Sequence, residues 1–115
     1  MIDQTALKGF PHTVDEAQDF HFENGVSTFM NATQDGIPVM SFVKTLVSGL
    51  SDRQISRRRS EVDNYNSAFF GTCVYFDNGS IKARINVFNP TTGSLKKIIN
   101  AIMDEFDQAQ DMFNS

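Results

Sequence analysis

At 115 residues and 12.9 kDa, the chain suits a single domain over 1–115, long enough for one hydrophobic core and too short for two. A net charge of −4 and a pI near 4.9 argue against a surface that coats nucleic acid. Cys73 stands alone, which excludes an intrachain disulfide and fits a reducing cytoplasm. An acid at residue 3 and the lack of a long apolar run predict neither a signal peptide nor a membrane span. Without a secretion signal, the sequons Asn31-Ala-Thr33 and Asn78-Gly-Ser80 read as chance matches.

Taken in chain order, residues 13 to 16 carry the S/T-x-x-E spacing of a capping box, which predicts a short helix ending before Phe20. Phe20-His-Phe22 and residues 26 to 30 flank Asn24-Gly25, a dipeptide suited to a type I′ turn, so a first hairpin is expected. Residues 37 to 50 fit two patterns. Val39, Phe42, Val43, Leu46, Val47 and Leu50 follow a 3.6 period, whereas the β-branched content favours a strand. Strict alternation would place Lys44 between Phe42 and Leu46, and on that ground a helix is preferred.

Gly49 then serves as a helix stop, and the next start signal is complete: Ser51 as N-cap, Gln54 closing the capping box, Leu50 with Ile55 as a hydrophobic staple. The helix predicted over 52 to 60 meets no further apolar residue before Val62, so it should lie on the surface. Residues 68 to 76 and 80 to 88 flank Asp77-Asn78-Gly79, the second hairpin. A two-residue turn pairs Phe76 with Ile81, Val74 with Ala83, Thr72 with Ile85 and Phe70 with Val87 on an apolar face. It leaves Tyr75 opposite Lys82, Cys73 opposite Arg84 and Phe69 opposite Phe88 on the other. Ser94 is the expected cap of a last helix whose Leu95, Ile98, Ile99, Ile102, Met103, Phe106 and Ala109 form an apolar stripe. That stripe would cover the sheet of its own chain or zip against a second copy.

The predicted fold is therefore α+β: an antiparallel sheet of two hairpins packed by the C-terminal amphipathic helix, with one or two helices between residues 38 and 60. Charge along it is polarised. Residues 1 to 30 set Lys8 against Asp3, Asp15, Glu16, Asp19 and Glu23; residues 44 to 59 set Lys44, Arg53, Arg57, Arg58 and Arg59 against Asp52. The last helix runs against its own macrodipole, with Lys96 and Lys97 near its start and Asp104, Glu105, Asp107 and Asp111 toward its end. Such an arrangement calls for something cationic at the acidic end.

Signatures of catalysis are missing: there is no G-x-S-x-G, P-loop or H-E-x-x-H, and only His12 and His21. Asp19-x-His21-x-Glu23 could aim three metal ligands to one side of a strand, but alternation with core-facing Phe20 and Phe22 explains it more simply. Asp77-Asn-Gly-Ser lacks the further acids of a calcium loop. No enzyme, metal or cofactor is expected.

The function expected is a protein-interaction module, a small acidic inhibitor or adaptor in which Asp104, Glu105, Asp107 and Asp111 engage a basic protein surface. The alternative is a nucleic-acid binder using Arg53, Arg57, Arg58 and Arg59, with Tyr65, Lys82 and Arg84 as further contacts. Its order of elements looks superficially like a winged helix-turn-helix, without the apolar anchors that would pack the second helix. A homodimer pairing the basic and acidic patches reciprocally is a third arrangement.

Overall fold

The computed structural model describes residues 12 to 16, 19 to 69 and 71 to 113. Along the chain they form β1 (His12–Val14), β2 (Phe20–Phe22), β3 (Val26–Ala32), β4 (Pro38–Val47), α1 (Asp52–Ala68), β5 (Cys73–Asp77), β6 (Ser80–Phe88) and α2 (Thr92–Phe113). The strands make one antiparallel sheet in the order β1-β2-β3-β4-β6-β5, so β6 is inserted between β4 and β5. This is the expected α+β class, with the C-terminal helix packed on the sheet.

Residues 38 to 47 are strand, not helix, and the reason lies in their position. β4 is an inner strand with buried residues on both faces: Met40, Phe42 and Leu46 point into the core, while Val39 and Ser41 are buried among their neighbours on the opposite side. A strand with buried residues on both faces reads as a continuous apolar run and can mimic a helical period. Lys44 does occupy the inward row, opposite Val26 and Ala83, where it is half-buried; a long aliphatic stem tolerates that place with its ammonium turned outward. The β-branched content was the better signal.

The short helix expected to open at Thr13 and end before Phe20 does not start there: Thr13 and Val14 belong to β1, paired with His21 and Phe20, and residues 17 and 18 lie outside the described residues. Asp15 instead accepts the Asp19 amide through its side chain, at 3.0 Å, a local side-chain-to-backbone bond of the kind that competes with helix formation. The first hairpin forms as expected, but its loop has three residues. His21 pairs with Ser27, the Gly25 amide donates to the Phe22 carbonyl at 3.1 Å, and only Gly25 has positive φ, at 88°. That is a type I turn followed by a left-handed glycine.

The second hairpin has the two-residue turn, with Asn78 and Gly79 at φ 49° and 81°, as a type I′ turn requires. Phe76 pairs with Ile81, Val74 with Ala83, Tyr75 with Lys82 and Cys73 with Arg84. Because β5 starts at Cys73, the further pairings expected for Phe69 and Thr72 do not form, and Phe70 lies outside the described residues. Gly79 has a second role: its carbonyl accepts the Leu50 amide at 2.8 Å, and a Cβ at this position would stand 3.2 Å from the Leu50 carbonyl oxygen. The turn is thus docked against the segment leading into α1.

α1 has the full capping box. The Gln54 amide donates to Ser51 Oγ at 3.3 Å and the Ser51 amide to Gln54 Oε1 at 2.9 Å. It continues eight residues beyond the expected end, to Ala68, yet buries only Val62 and Tyr65, consistent with its expected surface position. α2 starts at Thr92 rather than after Ser94; the Ser94 and Thr91 hydroxyls are 2.8 Å apart across the first turn. Leu95, Ile99, Ile102, Phe106, Ala109 and Phe113 are all buried on the sheet. The stripe covers its own chain.

Candidate interaction surface

Both helices lie on the side of the sheet that carries Phe20, Phe22, Met40, Phe42, Val74, Ile81 and Ala83. They do not pack closely on each other. The widely buried α2 and the narrowly buried α1 leave a gap between them, an open groove of about 460 Å³ lined by Ala68, Phe69, Gly71, Ile85, Val87, Ile98, Ala101, Ile102 and Glu105. A second hollow, of about 410 Å³, lies beyond Phe69 between Glu61, Asn64 and Tyr65 of α1 and Met112 and Phe113 of α2. Phe69 and Ala68 line both, so these residues form a ridge between two apolar hollows.

Beyond the buried Val62 and Tyr65, α1 is held by polar ties, which leave the groove open. Asn66 spans the outer edge of β5, donating through Nδ2 to the Val74 carbonyl and accepting the Val74 amide through Oδ1, both at 2.8 Å. One carboxamide thereby satisfies both Val74 backbone groups and closes that edge to further strand pairing. At the far end, Arg58 Nη1 donates to the Phe113 carbonyl at 3.3 Å. A guanidinium therefore does meet the negative end of the α2 dipole, where a cation is favourable. α2 has a tie of its own to the sheet, Gln110 Nε2 to the Leu46 carbonyl at 3.0 Å, beside the irregularity between Thr45 and Val47, where the ladder is interrupted.

Of the four carboxylates singled out on α2, Asp104, Asp107 and Asp111 are exposed and Glu105 is half-buried in the groove wall. Spacings of three and four place Asp104, Asp107 and Asp111 on one solvent-facing stripe, with Ala101 and Gln108 between that stripe and the groove. Among the described residues no ion pair involves any of the four. Arg58 reaches the helix end, not these side chains. An apolar hollow with a carboxylate in its wall and more carboxylates on its bank can seat an apolar side chain while attracting a flanking cation.

The basic residues do not converge. Arg53, Arg57 and Arg59 are exposed on α1, whereas Arg58 is half-buried, bonded to Phe113 and 3.8 Å from Glu61. Tyr65, expected to offer an outward ring, is only 1% exposed and stacks on Phe69 with ring centroids 4.5 Å apart. Burial holds its phenol above the usual tyrosine range; the neighbouring Thr72 hydroxyl opposes this shift and the Glu105 carboxylate adds to it. Neither the Tyr65 nor the Thr72 hydroxyl has a partner in full hydrogen-bonding geometry. Lys82 donates to Asp77 Oδ2 at 2.7 Å. Arg84 alternates with the core-facing Ala83 and Ile85, which places it on the sheet face away from both helices.

In the residue set considered for metal, both ring nitrogens of His21 are occupied within the chain: Nδ1 lies 2.8 Å from Ser27 Oγ and Nε2 2.8 Å from Asp15 Oδ2. Among the described residues no group of three or more His, Cys, Asp or Glu comes together, and no helix is long and apolar enough to cross a membrane.

The acidic stretch of α2 was legible as sequence; the groove was not. Its walls come from Ala68, Phe69 and Gly71, from Ile85 and Val87, and from Ile98, Ala101, Ile102 and Glu105, which become neighbours only when β6 is inserted between β4 and β5. Compared with known protein families, with curated proteins and with solved structures, the chain matches none.

Proposed function

We propose that the protein is a non-catalytic interaction module, a small acidic inhibitor or adaptor, whose α2 side engages a basic segment of another protein. The observation that carries this reading is Glu105: half-buried in the wall of an apolar groove, without an ion-pair partner among the described residues, and next to a helix stripe bearing Asp104, Asp107 and Asp111. Among the described residues no basic side chain of its own fold pairs with this carboxylate. A partner whose apolar side chain fills the groove and whose Lys or Arg lies beside it supplies the missing cation. Exposed pairs contribute only about 0–1 kcal/mol each, so the apolar anchor carries affinity and the acidic bank selects and orients the partner.

Affinity capture from the native host, run with three baits, tests this. Partners held by the wild-type chain should be lost both with the combined Asp104→Asn, Glu105→Gln, Asp107→Asn and Asp111→Asn variant and with Ala101→Trp, which blocks the groove without changing charge. Retention by both variants would refute the proposal. Recovery of nucleic acid that depends on Arg53, Arg57 and Arg59 would favour the nucleic-acid alternative.

A further inference from the structure

Among the described residues no helix covers the sheet face opposite α1 and α2, and its composition differs from the rest of this acidic chain. Alternation puts Phe29 of β3, Val39, Ser41 and Val43 of β4, and Arg84, Asn86 and Phe88 of β6 on that face. Phe29 and Phe88 are 43% and 64% exposed. On the strands β5 and β6 the only carboxylate of this face is Asp77, and Lys82 already neutralises it at 2.7 Å.

At the centre Arg84 is held in place by hydrogen bonds. Its Nε donates to Asn86 Oδ1 at 3.1 Å and its Nη2 to Ser41 Oγ at 3.2 Å, while Ser41 Oγ donates to the same Asn86 oxygen at 2.7 Å. Ser41 is 1% exposed although no helix covers it, so this polar cluster is built into the sheet. Among the described residues Arg84 has no carboxylate partner. With Nε and one Nη2 hydrogen turned to the sheet, the Nη1 side of the guanidinium is left for a ligand, and it is already oriented.

We infer that this face is a second docking surface, for an acidic peptide segment of a partner protein, in which Arg84 takes a carboxylate and Phe29 and Phe88 take the apolar residues beside it. Charge complementarity selects this occupant. A nucleic-acid strand needs several phosphates neutralised, and this face offers one guanidinium without an acidic partner, with the arginines of α1 elsewhere. A second copy docked by a two-fold axis through this face would set Arg84 against its own equivalent, with Asp77 already engaged. The helix side and the sheet side would thus seek opposite charges, and the chain would bridge two partners.

The test is an NMR titration of the whole protein with the peptide acetyl-Gly-Phe-Asp-Phe-Gly-amide, compared with the same peptide carrying Asn for Asp. Saturable shifts of the Arg84 Nε–H and of the Ser41 and Asn86 amides are expected with the acidic peptide, and binding at least tenfold weaker with the Asn peptide. Arg84→Gln should reduce affinity at least tenfold. Arg84→Lys, which keeps the charge and loses the planar fork, should reduce it several-fold, as should Phe88→Ala; unchanged α2 amide shifts show that each variant is folded. Absence of shifts at millimolar peptide, equal binding of the Asn peptide, or shifts confined to α2 would overturn the inference. So would tighter binding of a ten-residue oligothymidylate to the same resonances, or a two-copy species in sedimentation that Phe88→Ala dissolves.

Discussion

The two helices share one side of the sheet but are secured by different physics. α2 buries Leu95, Ile99, Ile102, Phe106, Ala109 and Phe113, a stripe wide enough that apolar burial is its main hold on the sheet. α1 buries Val62 and Tyr65 and otherwise depends on Ser51, Asn66 and Arg58, each acting on backbone groups of a neighbour or of its own first turn. Apolar burial is non-directional and pulls elements together, whereas hydrogen bonds set distance and orientation. A helix positioned mainly by hydrogen bonds can stand off from its neighbour, and the groove occupies the space that results.

This contrast makes ranked predictions. The largest effect is expected at Phe106, fully buried in the stripe: Phe106→Ala should cost about 3–5 kcal/mol in chemical denaturation, and a loss below 1 kcal/mol would show that α2 is not held by packing. Asn66→Ala removes both bonds to Val74 and should cost about 1–3 kcal/mol. Amide exchange should then accelerate at Val74 and along α1 while α2 stays protected; equal acceleration in both helices would show that the two are held as one unit.

Ser51→Ala removes the N-cap of α1 and should cost about 1 kcal/mol, with Ser51→Asp restoring most of it. At Tyr65 the expected change is near zero or slightly stabilising. Tyr65→Phe deletes a buried hydroxyl that lacks a well-formed bond, and leaving such a group unpaired is itself costly. A loss above 2 kcal/mol in thermal melts would assign that hydroxyl a strong partner.

The smallest effect concerns pH. The bond to Asp77 is the largest cause holding Lys82 above its ordinary pKa of 10.5, and burial holds Tyr65 above its ordinary 10.0. In both cases the folded state retains a proton that the unfolded chain releases sooner, so stability falls as pH rises past about 10 and the loss is complete above the folded pKa values. Tyr65→Phe should remove its share of this alkaline slope and leave the acid limb unchanged.

Legibility in the sequence followed the range of the interactions. The second hairpin was readable down to its register, because Asn78-Gly79 selects a tight turn from local backbone preference alone. The start of α1 was readable for the same reason, as Ser51 and Gln54 lie within one turn of each other. The pattern of β4 misleads because half of its environment is set by a strand distant in the chain: β3, the preceding strand, lies on one side, but β6, some forty residues later, lies on the other. Of the candidate surface, the acids of α2 were visible and the pocket beside them was not. Nothing local distinguishes Arg58, which binds the end of α2, from Arg57 and Arg59, which point to solvent.

Local chemistry in this chain determined the α+β class, the two hairpins, the capping of α1 and the apolar stripe and acidic bank of α2, since each depends on residues within a few positions of one another. Tertiary structure decided the strand order, the groove between the helices, and the capture of Arg84 by Ser41 and Asn86 on the opposite face. Those features join residues that are distant in the chain, and a pairing of that kind exists only after the sheet has set which strands are neighbours.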